Sequence, residues 1–148
     1  MKVYTFRIKS GRNLRSEIET FAKVKNIRAG FIITCVGGVK QAVLRSADVA
    51  PGRPSKQDVL TFTGPHENNF EIISLAGTVS VSGLHLHMSI ADNKGTTFGG
   101  HLKEGTIVHP TAEVVIGEDE TAVYSRELDE ETGFTELVVN YRYPGSSG

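Results

Sequence analysis

The segment Leu84-His85-Leu86-His87-Met88-Ser89-Ile90 alternates apolar and polar residues. In an extended strand this period of two puts Leu84, Leu86, Met88 and Ile90 on one face and both histidines on the other. Other stretches alternate or run apolar in the same way. Met1 to Ile8 reads as an opening strand, and Phe31 to Val36 and Val39 to Leu44 as two strands parted by a bend or bulge at Gly37-Gly38. Val59 to Thr63 gives a short strand, while Phe70 to Val81 and Leu84 to Ala91 read as neighbours joined by a hairpin turn at Ser82-Gly83. Thr106 to Ile116, Thr121 to Tyr124 and Glu136 to Tyr143 add three more. One stretch has helical spacing: Leu14, Ile18, Phe21 and Ala22 form a stripe, Arg15, Glu19 and Lys23 face water, Asn13 or Ser16 caps the start, and the end falls near Asn26. Residues 50–57 and 64–69 are loops. Many strands, one helix and short connections predict an α+β domain (α/β-like), with a largely antiparallel or mixed β-sheet packed against one main helix. It is expected to fill residues 1–143 as a single domain, followed by a flexible tail at 144–148.

A chain of 148 residues is long enough for one good core and short for two. Its net charge of -1, with 22% charged residues, supplies no positive field to draw it to nucleic acid or an acidic membrane. No segment approaches the roughly twenty apolar residues of a membrane span. The first residues alternate instead of forming the apolar centre of a signal peptide, so the expected compartment is the cytoplasm, or the nucleus by diffusion in a eukaryotic cell. The single cysteine, Cys35, lies in an apolar β-branched run and reads as a buried structural thiol without an intrachain disulfide.

The chemistry concentrates after residue 84. Beyond the His85/His87 pair, the turn residues Asp92-Asn93-Lys94-Gly95 let the chain fold back and carry His101 to the same place. A His-x-His pair alone is more often solvated than ligating; a third imidazole changes the balance. Three neutral imidazoles with an open fourth position suit zinc or another divalent metal. Gly99-Gly100 has no bulk and suits a close approach of backbone to a bound group. Glu71, Asp92 and Glu113 are the candidates to orient the ligands. Glu71 is either a partly buried general acid or base or the solvent face of an edge strand, and Asp92 more naturally closes its turn. Arg12, after Gly11 at a strand-to-helix turn, is a candidate for holding a small anionic ligand, against the plainer reading of a surface arginine. His66 and His109 have no partners by spacing. Gly52-Arg53-Pro54 is similar to the core of an AT-hook, but Pro51 stands where the first arginine belongs, and an ordinary loop is expected. There is no phosphate-cradling glycine loop, Cys-x-x-Cys pair or nucleophile elbow.

Several blocks together resemble the PPC domain family, the domain conserved in plants and prokaryotes. They are Gly11-Arg12; Phe70-Glu71-Ile72-Ile73-Ser74-Leu75-Ala76-Gly77; Leu84-His85-Leu86-His87 with Asp92, Gly95 and Gly99-Gly100-His101-Leu102; and Gly105-Thr106-Ile107-Val108 with Thr111-Ala112-Glu113-Val114-Val115-Ile116. The resemblance runs from about Tyr4 to Tyr143, departing at His109. It implies a homotrimer with the histidines close to a subunit interface, acting as a regulatory or binding module with protein partners. It also implies an association with DNA by family label, which the incomplete hook argues against. The His-x-His then Gly-Gly-His arrangement is similar, more distantly, to acetolactate decarboxylase. That likeness implies zinc on His85, His87 and His101. It also implies the alternative of a small metalloenzyme, a lyase or hydrolase, in which Glu71 moves protons and Arg12 holds the anion.

Overall fold

Among the residues described, 1–48, 56–64 and 69–142, the computed structural model contains nine strands and one helix. In chain order these are β1 (Lys2–Lys9), α1 (Leu14–Val24), β2 (Ala29–Asp48), β3 (Lys56–Thr63), β4 (Phe70–Ser80), β5 (Gly83–Ala91), β6 (Thr97–Leu102), β7 (Ile107–Glu118), β8 (Ala122–Leu128) and β9 (Thr135–Tyr141). The first seven strands form one sheet in the order β1-β7-β2-β4-β5-β6, with β3 added on β2. Every pairing in it is antiparallel. The sheet curls until β6 meets β2, where Leu44 faces Leu102 and Arg45 faces His101. A separate ribbon, β8 with β9, hydrogen-bonds to the body through Val81 N to Tyr124 O and Tyr124 N to Arg28 O.

The predicted helical stripe is the one that packs: Leu14, Ile18 and Ala22 are buried, and Phe21 stacks on Phe6 with ring centroids 3.9 Å apart. Asn13 is the cap, its side chain accepting from Ser16 N at 3.4 Å, so Ser16 lies inside the helix. Leu84, Leu86, Met88 and Ile90 of β5 share one core with this stripe and with Val108, Val114 and Ile116 of β7. Cys35 belongs to it at 4% exposure, and burial pushes its thiol up to about 12.

Three expectations are corrected. The two strands expected over 31–44 are one strand of 20 residues, because pairing with β7 continues through register shifts around Gly37 and Val39. The bend is therefore a bulge inside a strand. β3 starts at Lys56 instead of Val59, its ladder extending to Asp48. β6 had no strand signal of its own and is held between β5 and β2. The hook-like 52–54, His66 and the tail 144–148 lie outside the described residues. No helix among the described residues is long and apolar enough to cross a membrane.

Candidate metal centre

The alternation of β5 does what its period requires. Leu86 and Met88 are buried in the core, while His85 is half-buried and His87 exposed on the opposite face. Across the ladder His85 faces Thr78, and His87 faces Ala76 on one side and His101 on the other. Gly77, between those partners, has φ +138, and a Cβ there would collide with the His85 carbonyl oxygen. Only glycine lets β4 lie this close to the histidine strand. Gly100 answers a similar need. A Cβ on it would lie 3.0 Å from Arg45 O and 3.3 Å from Leu44 Cβ, and one on Gly99 would lie 3.2 Å from Met88 O. The expected close approach at Gly99-Gly100 is thus of strand to strand, and not of backbone to a bound group.

The three rings form a triangle with centroid separations of 5.1 Å (His85–His87), 5.2 Å (His85–His101) and 5.5 Å (His87–His101). One nitrogen from each can be chosen so that all three lie within 4.8 Å of one another. A point within about 2.8 Å of all three therefore exists, and the side chains need close in by less than about 1 Å to reach the 2.0–2.1 Å of a zinc–nitrogen bond. His101 Nδ1 is buried with no hydrogen-bond partner, a polar atom whose desolvation no protein group among those described offsets. The residues present fit a divalent metal.

Burial and the charge around them keep His85 and His101 neutral, the form that ligates. Burial first, then Arg45 and the two other histidines, pull His101 down to about 4. Burial, then Arg126 and His87, hold His85 below its ordinary value, with Glu136 acting in the opposite sense. The rings open on a cleft of about 520 Å³, to which α1 contributes Arg15 and Glu19, β2 Arg45, and the β8–β9 ribbon Arg126 and Glu136. Arg15 is paired with Glu104 at 2.9 Å.

Other expected residues stand elsewhere. Glu71 is exposed and pairs with Gly38 and Ala91, four residues or about 13 Å along β5 from His87, so it neither is partly buried nor reaches the rings. Arg12 is exposed and bound to Glu17 at 2.6 Å, away from the cleft that Arg15, one helical turn on, does line. Asp92 accepts from Lys94 N and Thr96 N and closes its turn. Glu113 is exposed on β7 between Arg7 and Val36. His109 Nδ1 lies 2.7 Å from Ser10 Oγ. The sequence reading missed Arg45, Arg126 and Glu136, which reach the rings only through sheet closure and the return of the ribbon.

A family model described as the Plants and Prokaryotes Conserved (PCC) domain matches residues 1–120. Two curated relatives, each a bifunctional protein GlmU from a Synechococcus strain, are 36% identical to the chain over 94% of its length. The match takes in 20% and 21% of those proteins, so the chain spans about a fifth of the length of the curated relatives it matches. Among solved structures, a hypothetical protein from Salmonella enterica is 32% identical, with a TM-score of 0.83 over 96% of this chain and 95% of that one. A metal-containing protein from Archaeoglobus fulgidus is 27% identical, with a TM-score of 0.73 over 93% and 94%. The alpha-acetolactate decarboxylase of Bacillus subtilis, 19% identical with a TM-score of 0.56 over 78% and 52%, shares the fold alone.

Proposed function

The chain belongs to the Plants and Prokaryotes Conserved (PCC) domain family, and on that premise we propose that it is a metal-dependent binding module, a cytoplasmic homotrimer whose three-histidine site receives a small anion. His85, His87 and His101 would hold one divalent ion, zinc being the best match to a set of three imidazoles. The observation that carries this reading is the convergence of three imidazole nitrogens within 4.8 Å, in a cluster where His101 Nδ1 is buried without a partner. A bound ion of this kind supplies a Lewis acid with coordination positions left for a ligand. The surrounding residues do the rest: Arg45 and Arg126 bias the cleft toward anions, and the packed strands hold the rings in place without help from a loop. Self-assembly is supported by apolar surface on adjoining strands, where Ile33 and Val36 of β2 and Ile73 of β4 are about half exposed. The net charge of -1 provides no electrostatic footprint for direct DNA contact.

The test is elemental analysis of the purified protein, with and without His87→Ala, after dialysis against a weak chelator. About one zinc, manganese or nickel per chain, lost in the variant, is expected under this reading. Metal-free protein indistinguishable from the variant would overturn it.

One observation favours a second reading, a small metalloenzyme of the lyase or hydrolase type. Of the two carboxylates that line the cleft, Glu19 and Glu136, it is Glu136 that acts on His85 and is placed to take or give a proton there, the role expected of Glu71. Turnover of small oxo acids that disappears in Glu136→Gln while the metal stays would establish it. Turnover equal in that variant would remove it.

A further inference from the structure

Two clefts meet at the histidine strand. Besides the charged one beside α1, a second of about 370 Å³ is walled by Ala76, Gly77, Thr78 and Leu137 and is mostly apolar. The two share His85, His87, Arg126 and Glu136, so those side chains stand between them. Arg126 is the informative member. Its side chain is 13% exposed, and its Nη2 donates to Thr135 O at 2.7 Å but lies 4.0 Å from the nearer Glu136 oxygen. A guanidinium carries five N–H donors in a planar fork, and a carboxylate at 4.0 Å does not engage it bidentately. Arg126 thus lines both clefts close enough to act on His85, with Nη2 engaged by Thr135 O and no bidentate carboxylate partner among the described residues. It also belongs to the β8–β9 ribbon, beyond the 1–120 matched by the family model.

We infer that the site takes a carboxylate bearing a short aliphatic chain, its head on Arg126 beside the imidazoles and its chain in the cleft between β4 and Leu137. This deepens the metal-binding reading and rests on it for the site's purpose. The fork of Arg126 matches a planar carboxylate, and the adjoining wall of alanine, glycine, the threonine and leucine offers contact that a bare inorganic anion would leave unused. Arg126 is then a specificity-determining residue for charge, and Leu137 for the chain.

Calorimetric titration of butanoate, acetate and butanamide into the zinc-loaded and the metal-free protein tests it. Butanoate is expected to bind about tenfold more tightly than acetate, the effect of burying two further methylene groups. It should also bind at least tenfold more tightly than the uncharged butanamide. In the metal-free protein, where no ion competes for the carboxylate, Arg126→Gln should erase the preference over the amide. Leu137→Asp, at a position 41% exposed and so tolerant of the change, should erase the preference over acetate, with metal content unaltered in both. Equal or absent binding of the three compounds in both forms of the protein overturns the inference even where the metal is retained. Preferences that persist in the metal-free protein, in a chain found to hold no metal, support the carboxylate site while removing the metal.

Discussion

Replacing Gly77 by alanine probes the packing that sets the pitch of the histidine strand, and Gly83→Ala is its natural control. Both glycines have strongly positive φ, +138 and +128, so each alanine bears a backbone cost of order 1–3 kcal/mol. They differ in their surroundings. A Cβ at Gly83 meets nothing within 4 Å, whereas one at Gly77 collides with the His85 carbonyl oxygen and comes 2.9 Å from both His85 C and Leu86 Cα. β4 and β5 must part at the centre of their ladder, weakening hydrogen bonds worth about 0.5–1.5 kcal/mol each. Gly77→Ala is therefore expected to lose about 2–5 kcal/mol, roughly 1–2 kcal/mol or more beyond Gly83→Ala. With a urea slope of about 1–3 kcal/mol per molar, its unfolding midpoint should fall on the order of 1 M below that of the control. Urea titrations of both metal-free variants, followed by circular dichroism, measure this directly, and zinc retention by Gly77→Ala should drop with it because His85 moves. Coincident midpoints would refute the claim that crowding against β5, and not backbone conformation alone, fixes that glycine.

Four further outcomes follow from the same structure. Because His101 is held at about 4 and His85 below its ordinary 6.5, protons compete weakly for these ligands, so metal content at equilibrium dialysis should persist well below pH 6.5; half-loss at pH 6.5 or above contradicts this. In the metal-free protein the same depressed value means the folded state binds fewer protons than the unfolded. Its contribution to stability is complete above about pH 6.5 and is lost as pH falls toward 4, so urea midpoints should decline over that window, and less so in His101→Gln. Cys35, 4% exposed with its thiol pushed up to about 12, should resist thiol reagents at pH 8 until urea unfolds the chain; stoichiometric labelling of the native protein would count against its burial. Sedimentation should give a particle of three 16.0 kDa chains, broken to monomer by Val36→Glu with Ile73→Lys, while a monomeric parent protein removes the assembly.

What could be read from the sequence was local in origin. The stripe of Leu14, Ile18 and Ala22 and the alternation of Leu84 to Ile90 each declare a period that neighbouring residues alone determine, and both stand in the structure as expected. Long-range pairing erased the rest. Gly37-Gly38 carries a local signal for interruption, yet β7 supplies partners on either side of the bulge and the strand continues. Thr97 to Leu102, with two glycines, has poor strand propensity and is extended because β5 and β2 both bond to it. Glu71 and Arg12 drew attention through residue type and neighbouring turns. The charged groups at the rings, Arg45, Arg126 and Glu136, lie 56, 25 and 35 positions along the chain from His101, and no short-range pattern could have singled them out.

The strand that bears His85 and His87 also bears Leu84, Leu86, Met88 and Ile90, on opposite faces. A slip of one residue in its pairing would exchange the two sets, driving imidazoles into the core and leucines to the surface. A form slipped by one residue would therefore lack the triangle. An ion retained by all three rings would select, out of every compact arrangement, the single alignment of β4, β5 and β6 that is native. At a thousandfold excess over its dissociation constant it would deepen that minimum by about 4 kcal/mol. The cluster would then proofread the sheet in which it sits.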